Sequence, residues 1–378
     1  MSEPGYRDRA RIPLVDLQAA HAEVANEVEV GFKRILATAA FVGGDEVHAF
    51  EREYAEFSGL AHCVGVANGT DALELALRAV GVRAGREVIV PANTFVATAE
   101  AVARIGAEVV LVDCDPATYL IDVDAALNAV TDATAAIVPV HLYGQMAAVE
   151  RLADAGVPIV EDAAQSQGAT RLGRAAGLSG PAATSFYPGK NLGAYGDAGA
   201  VVTTEQEIAD HVRLIANHGR SGARYNHTAI GLNSRLDGLQ AVVLRAKLSR
   251  LARWNEQRRA AAERYHTLLQ GLDVQLPSTL DGNIHVWHLY VIGVPGDGTG
   301  ARRDRVLARL NTAGIAAGVH YPVPVHRTPA FAGVARQAGN LPVAEAAAGQ
   351  ILSLPLHPHL TPEQQRFIAE SLAVALRD

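Results

Sequence analysis

The sequence predicts an α/β protein, with a mixed, mostly parallel sheet flanked by helices and a smaller α+β part at the C-terminus. Between about residues 60 and 205, short runs rich in valine and isoleucine alternate with longer helical segments. These runs lack strict polar–apolar alternation, which is typical of strands buried on both faces. Beyond about residue 270 the pattern changes to one strand, one helix and a proline-rich segment.

Seven apolar runs are candidate strands of the large sheet: 62–66, 87–90, 108–112, 136–140, 157–160, 183–187 and 199–203. Helical periodicity fills three of the intervals between them, at 70–81, 95–106 and 146–155. Parallel strands need a long crossover connection, so the alternation of strands and helices favours parallel pairing with helices on both faces.

A charged helical tract at 235–270 connects this region to the C-terminal part. That part contains a strand at 286–294, a helix at 301–314 and the proline-rich segment 320–329. We predict a large α/β domain over 15–250 and a small α+β domain over 251–378. The helical segments 16–35 and 45–57 are candidates to pack beside the small domain. One large unit with an appendage also fits the length.

Composition excludes several classes of protein. The formal net charge of −7 disfavours bulk attraction to nucleic acid or anionic lipid. Cys63 and Cys114 form no CxxC motif, and no clustered ligand set indicates a metal site. Charged residues at the N-terminus precede no apolar run, and no apolar stretch reaches 18 residues. We expect a cytoplasmic protein without a signal peptide, membrane span, metal or nucleic-acid partner.

The first candidate for chemistry is Lys190, which lies between Gly189 and Asn191 in a glycine-rich segment over 183–200. Glycines let a ligand approach the backbone closely. A solvated lysine in a tight turn would give the same local pattern, so this residue alone decides little.

The second candidate is Asp162, where the apolar run 157–160 ends in Glu161 and Asp162. Ligands of open parallel sheets bind at the carboxyl ends of strands, and a carboxylate there can keep a ligand's ring nitrogen protonated. An Asp that caps the following helical turn is the competing interpretation.

The third candidate is the segment ANGTDA at 67–72, between a short strand and a helix. A helix start with a nearby hydroxyl forms a modest anion site. The segment matches neither the GxxxxGK[ST] loop nor the GxGxxG fingerprint, so one phosphate monoester suits it better than a nucleotide triphosphate or dinucleotide.

Taken in order, these segments resemble the DegT/DnrJ/EryC1/StrS family of pyridoxal-phosphate-dependent sugar aminotransferases, over nearly the whole chain. SFYPGKNLGAYGDAG at 185–199 is the most specific stretch. The other matching stretches are ANGTDAL (67–73), PANTFVAT (91–98), VHLYGQ (140–145), VEDAAQSQG (160–168), GLNSRLDGLQ (231–240) and HYPVPVH (320–326). The resemblance implies a fold-type-I aminotransferase.

Residue roles follow from the resemblance. Lys190 is expected to form the Schiff base with pyridoxal 5'-phosphate, and Asp162 to pair with its pyridine nitrogen. Gln165 is expected near the phenolic oxygen and Phe95 on the ring face. The remaining cofactor contacts that the resemblance implies are with the phosphate, from Gly69, Thr70, Ser185 and, across a homodimer with shared active sites, the neighbouring subunit's Asn233.

The same resemblance implies transfer of an amino group from L-glutamate to a nucleotide-linked keto-sugar. Released Lys190 would act as a base, which requires a pKa below the ordinary value of about 10.4. HYPVPVH, with WHLY at 287–290, is similar to members that aminate C3 of dTDP-linked 3-keto-6-deoxyhexoses. The candidate sugar contacts are Tyr225, His320, Tyr321 and His326, although the histidines could instead have structural partners.

Four alternatives stay open at this point. Other family members act on C4 or on UDP-linked 3-keto-sugars. Some replace the lysine with histidine and become dehydratases, whereas this chain keeps Lys190. A non-catalytic, cofactor-binding regulatory protein is the alternative from a different class.

Overall fold

The computed structural model of the protein describes residues 11–377; the charged residues Glu3, Arg7, Asp8 and Arg9 lie outside the described residues. The helices α1–α12 are Leu17–Ala22, Ala25–Thr38, Asp45–Ser58, Gly69–Ala79, Ala97–Arg104, Val123–Asn128, Val149–Leu152, Gln206–Ala216, Gly238–Leu268, Ala301–Thr312, Pro342–Gln350 and Pro362–Ala375. The strands β1–β12 are His62–Val66, Glu87–Pro91, Glu108–Val112, Thr134–Ile137, Glu161–Asp162, Thr170–Arg171, Ala182–Ser185, Gly199–Thr203, Asn283–Ile284, Tyr290–Gly293, Arg336–Gln337 and Ile351–Leu354.

The central sheet has two four-stranded parts, with the orders β1-β8-β7-β5 and β11-β3-β2-β4. Parallel bridges from Ile137 to Ile159 and from Val140 to Asp162 join the two parts beside β5. Neighbouring strands pair in parallel except at β8, which runs antiparallel to both β1 and β7. The prediction of a mixed, mostly parallel sheet flanked by helices is therefore confirmed.

Strand direction brings several chain segments to one edge of this sheet. Because β8 is antiparallel to both of its neighbours, β1 and β7 point the same way as β5, β4 and β2. Val66, Pro91, Asp162 and Ser185 are the last residues of β1, β2, β5 and β7. We call this side of the sheet the carboxyl edge, where open α/β sheets place their ligand sites.

The sequence locates some strands better than others. The strands at 62–66, 108–112 and 199–203 have the predicted bounds. The strand predicted over 157–160 is wrong, since β5 covers only Glu161–Asp162. Ile159, which precedes β5, forms only an isolated bridge. Pro158 has no N–H to contribute to a ladder, which shortens the strand.

Two elements outside the large sheet also differ from prediction. The strand predicted over 286–294 is shorter, because Trp287 has a φ of 49° and its N–H donates to His285 Nδ1. That backbone is not extended, so β10 begins only at Tyr290. The helix predicted over 146–155 consists of α7 followed by a 3₁₀ turn at Ala153–Ala155.

The helix α9 contributes to two hydrophobic cores. Its first half buries Ala241, Leu244 and Leu251 in one cluster with Phe50 and Phe186. Its second half packs with β10, β12 and α12 through a separate cluster that includes Ala261, Tyr265, Leu354 and Leu372. The boundary predicted between 250 and 251 falls inside α9, and the division into two domains stays a prediction.

The N-terminal residues pack at several places. Ile12, which precedes the segment 16–35, pairs with Ile315 and belongs to the C-terminal cluster. Val24 and Val28 of that segment pack with Val243 and Ala246 in the first half of α9. In contrast, Val47, Phe50 and Tyr54 of α3 pack with α9 and β1. Within residues 11–377, no helix is both long and apolar enough for a bilayer crossing.

Candidate active site

The start of α4 forms an anion cradle at the carboxyl edge. Asn68 caps the helix, and its side-chain oxygen accepts the Asp71 N–H at 2.8 Å. A Cβ added to Gly69 would lie 2.6 Å from Ser185 Cβ, so only glycine permits this approach of α4 to β7. The first turn of α4, where Thr70 follows Gly69, therefore lies close to Ser185, a donor set that fits one phosphate monoester.

Asp162 lies buried at the end of β5 with its carboxylate held by two donors. Thr98 Oγ1 donates to Oδ2 at 2.8 Å, and the Ala164 N–H donates to Oδ1 at 3.1 Å. Burial raises the pKa of Asp162, while these two hydrogen bonds and the charge of Lys190 oppose the rise. An oriented carboxylate in a site of low dielectric fits a protonated ring nitrogen.

Lys190 lies in the turn after β7, where its N–H donates to the Tyr187 carbonyl at 2.9 Å. Burial lowers the pKa of its amine to about 8, although the nearby Asp162 carboxylate acts in the opposite direction. An amine with this pKa is neutral far more often near pH 7 than an ordinary lysine. The residue is therefore suited to act both as a nucleophile and as a base.

Two histidines share this environment. Burial, and then the charge of Lys190, lower the pKa values of both His288 and His320. His320 Nδ1 lies 2.8 Å from Ser353 Oγ, and His288 Nδ1 lies 3.3 Å from Asn191 Oδ1. Both imidazoles are therefore neutral at physiological pH and add no positive charge beside the amine.

A second group at the carboxyl edge centres on Gln165. Its Oε1 accepts the Tyr143 N–H at 2.7 Å, and its Nε2 donates to the Tyr321 hydroxyl at 3.0 Å. The Tyr143 hydroxyl donates to the His320 carbonyl, and the Phe95 ring lies 5.6 Å from the Tyr321 ring. Phe95 is 53% exposed, so a ring face is free for a ligand.

The remaining predicted residues lie apart from this group. Tyr225 is 82% exposed next to Arg224, and Asn233 is exposed and bridged to Asn217. His326 Nε2 lies 3.0 Å from Glu345 Oε1. The contacts described for residues 11–377 of this single chain join none of the three to Lys190, so their roles stay predictions.

Sequence reasoning gave no role to several residues of the site. Thr98 lies three residues after Phe95 in PANTFVAT, and Tyr143 is part of VHLYGQ, so both lay in stretches already singled out. His288, inside WHLY, is brought to Lys190 only by the fold. His141 is fully buried, with its Nε2 2.8 Å from Glu161 Oε2.

The histidine, cysteine and acidic side chains are spread out in the described part of the chain. Among residues 11–377, no three His, Cys, Asp or Glu side chains are grouped closely enough to hold a metal ion. His357 and His359 have ring centroids 6.4 Å apart, and His359 Nε2 lies 2.7 Å from Glu23.

Comparison with known sequences agrees with this geometry. The profile of the DegT/DnrJ/EryC1/StrS aminotransferase family matches residues 23–373. The chain belongs to this family. It is 45% identical to the dTDP-3-amino-3,4,6-trideoxy-alpha-D-glucose transaminase of Streptomyces venezuelae, over 93% of this chain and 92% of the relative. It is also 44% identical to a pleiotropic regulatory protein of Geobacillus stearothermophilus, over 96% and 98% of the two chains.

Solved structures share the fold over almost the whole length. S. venezuelae DesV superposes with a TM-score of 0.93 at 42% identity, covering 98% of this chain and 100% of that protein. Bacillus subtilis NtdA, solved with its bound cofactor PMP, superposes with a TM-score of 0.88 at 31% identity. That alignment covers 98% of this chain and 86% of NtdA.

Proposed function

We propose that this protein is a pyridoxal-phosphate-dependent aminotransferase. It transfers an amino group from L-glutamate to a dTDP-linked keto-deoxysugar, at C3, in deoxyaminosugar biosynthesis. The observation that carries the proposal is the buried Asp162 carboxylate, held by Thr98 at the same sheet edge as the Lys190 turn and the anion cradle. The transaminase among the relatives supports the substrate class.

The donor set fits pyridoxal 5'-phosphate. The cofactor supplies an aldehyde that accepts the amino group and a ring that withdraws electrons when its nitrogen is protonated. Gly69, Thr70 and Ser185 would hold the phosphate, and Asp162 would hold the proton on the ring nitrogen. Gln165, fixed by Tyr143 and Tyr321, would lie near the phenolic oxygen, and Phe95 would cover the ring face.

Lys190 performs the proton transfers. The neutral amine takes the proton from the carbon that bears the amino group of glutamate, and it later returns a proton to the sugar carbon that becomes aminated. Its lowered pKa keeps a useful fraction neutral, while the Asp162 charge keeps the amine from becoming too weak a base. The neutral His288 and His320 beside it do not repel the protonated amine.

The nucleotide-sugar binds on the side of Tyr321 and His320, both of which lie within the electrostatic reach of the Lys190–Asp162 pair. Tyr225 lies on an exposed loop and is a further candidate contact, whereas His326 has Glu345 as its neighbour within the chain. Action at C4, or on a UDP-linked 3-keto-sugar, is the alternative within the same chemistry. The distinction depends on which sugar carbon reaches Lys190.

The active enzyme is a cytoplasmic homodimer with shared sites. Apolar side chains are exposed near the carboxyl edge and on the loop after α8: Tyr187 is 59% exposed, Tyr225 82% and Ile230 98%. Two-fold pairing is the commonest assembly of soluble chains, and it would cover such exposed side chains. Asn233, on the same segment as Ile230, then reaches the partner's phosphate.

Subunit mixing tests the shared site. The variants Lys190→Ala and Asn233→Ala each lack one element of the site, but a mixed dimer contains one intact site. We expect the mixture to regain up to about a quarter of wild-type turnover per subunit after exchange. No recovery, in a mixture shown to exchange subunits, would contradict sharing through Asn233.

The substrate is tested directly by product analysis. The purified enzyme is incubated with L-glutamate and a panel of dTDP- and UDP-linked 3-keto- and 4-keto-sugars, and NMR identifies the aminated carbon. Amination of a dTDP-linked 3-keto-6-deoxyhexose is expected at C3. Preference for a 4-keto or UDP-linked substrate would replace the finer assignment and leave the reaction class intact.

A regulatory function is a second candidate, because one relative of 44% identity is named a pleiotropic regulatory protein. Such a protein would hold the cofactor without turning it over. Lys190, Asp162 and Thr70 are all present, which favours catalysis. The response of the bound cofactor to glutamate separates the two candidates.

A further inference from the structure

The loop 186–196, which carries Lys190, contains no helix or strand and must be held by other means. Its ends are closed by the Ala194 N–H, which donates to the Phe186 carbonyl at 2.8 Å. A Cβ added to Gly193 would lie 2.2 Å from the Pro188 carbonyl oxygen, so the loop folds tightly onto itself there. Further support comes from the neighbouring helix α9.

Three side chains of α9 bind this loop. Gln240 Oε1 accepts the Tyr195 N–H at 2.9 Å, and Lys247 Nζ donates to the Gly193 carbonyl at 2.6 Å. Asn255 Oδ1 accepts from Asn191 Nδ2 at 3.0 Å. The spacings of seven and eight residues place all three on one face of the helix, about two turns apart.

Lys247 is a buried lysine, which is uncommon because a buried ammonium loses its hydration. The residue is 4% exposed, and its Nζ lies 4.6 Å from the centroid of the Tyr195 ring. This amine thus contacts a backbone carbonyl and an aromatic face, both within the loop. Burial lowers its pKa to about 8.

Asn255 connects the loop to the other half of the site. Its Nδ2 donates to the Gln167 carbonyl at 2.9 Å, while its Oδ1 holds Asn191. Gln167 in turn donates through Nε2 to the Ser185 carbonyl at 2.8 Å. One face of α9 therefore fixes the segment after Asp162 and the loop of Lys190 relative to each other.

We propose that Gln240, Lys247 and Asn255 form a clamp on α9, and that Lys247 is a positioning residue for Lys190. The proposal rests on the proposed function only in taking Lys190 as the reactive amine. The buried Lys247 amine restrains the Gly193 carbonyl. Because only two residues separate Gly193 from Lys190, this restraint also limits the movement of Lys190. Misplacing a reacting group by about 1 Å can cost on the order of 100-fold in rate.

The test compares the cofactor-loaded wild type with Lys247→Met and Gln240→Leu. The matched controls are Lys33→Met and Gln206→Leu on exposed helix surfaces. We expect the amides of 186–196 to exchange with deuterium roughly tenfold faster in Lys247→Met, while those of β2 and β3 stay unchanged. Gln240→Leu keeps the buried charge and is expected to show a smaller change at the same peptides.

Two further readouts separate positioning from general destabilisation. In Lys247→Met, kcat is expected to fall roughly tenfold with little change in KM, and the pH midpoint of the cofactor's visible absorbance to shift. The clamp would be overturned if the amides of 186–196 exchanged in both variants as slowly as in the wild type, with an unchanged pH midpoint of the visible absorbance. Faster exchange that extended equally to β2 and β3 would also overturn it. Absence of the visible band in the wild type would instead contradict the proposed function.

Discussion

Thr98 donates a 2.8 Å hydrogen bond to the Asp162 carboxylate, and the two residues come from different layers of the fold. Thr98 lies on α5, which follows β2, whereas Asp162 ends β5. The same hydroxyl lies 2.9 Å from Thr94 Oγ1, so a short chain of hydroxyls leads to the carboxylate. A hydrogen bond to the charged form favours ionisation, against the burial that raises the pKa of Asp162.

Thr98→Val removes this donor while keeping the side-chain shape. The carboxylate then loses support for its charged form and for its orientation, so we expect kcat to fall roughly tenfold. Steady-state kinetics with saturating substrates measure the effect. Thr38→Val, at an exposed position on α2, is the control and should match the wild type. An unchanged kcat in Thr98→Val would show that Asp162 needs no help from α5.

Asp162→Asn should keep cofactor but lose most of the rate. The amide is close in size to the carboxylate, so the phosphate cradle and Lys190 remain to bind the cofactor. The ring nitrogen loses its charged partner, and we expect a decrease in kcat of at least about 100-fold. Cofactor content and turnover are measured on the same sample. A near-normal rate would mean that another group keeps the ring protonated.

The site of cofactor attachment can be mapped because the sequence contains three lysines, Lys33, Lys190 and Lys247. Burial lowers the pKa values of both Lys190 and Lys247 to about 8, but Lys247 is held against Gly193. Borohydride reduction followed by peptide mass spectrometry should therefore find the label on Lys190. Lys190→Ala should lose both the visible absorbance and turnover, and label on Lys247 would contradict the assignment.

The lowered pKa of Lys190 predicts a specific pH dependence. Only the neutral amine attacks an aldehyde, and the amine becomes neutral as pH rises through its pKa of about 8. In stopped-flow mixing of cofactor with cofactor-free protein, the rate should increase roughly tenfold per pH unit below this pKa and level off above it. A rate that continues to rise toward pH 10 would show an ordinary, unburied lysine.

The sequence predicts the parts of the site that are local. Strands such as 108–112 and 199–203 are continuous apolar runs, and the turn of Lys190 and the start of α4 each lie within one motif. The structure adds pairs that are distant along the chain, such as Thr98 with Asp162 and Lys190 with His288. Periodicity reports which face of an element is buried, not which remote segment packs there.

Two exposed residues show the same limit of prediction from sequence. Tyr225 and Asn233 fit the family pattern, but in one chain both side chains lie exposed. Their proposed partners lie on a second subunit, and neither local propensity nor the packing of a single chain can locate such contacts. His326, predicted to contact the sugar, instead has a neighbour within its own chain, Glu345 on α11.

The most direct measurement is the response of the bound cofactor to L-glutamate, without any sugar. A stoichiometric amount of the amino acid is added to the loaded enzyme, and the absorbance spectrum and the keto-acid product are followed together. We predict that the visible band disappears, that the shorter-wavelength band of the pyridoxamine form replaces it, and that one keto acid forms per site. In Lys190→Ala supplied with the same cofactor, neither the pyridoxamine band nor the keto acid should form at a comparable rate. An unchanged wild-type spectrum, with no keto acid formed, would contradict the account and favour a protein that only holds the cofactor.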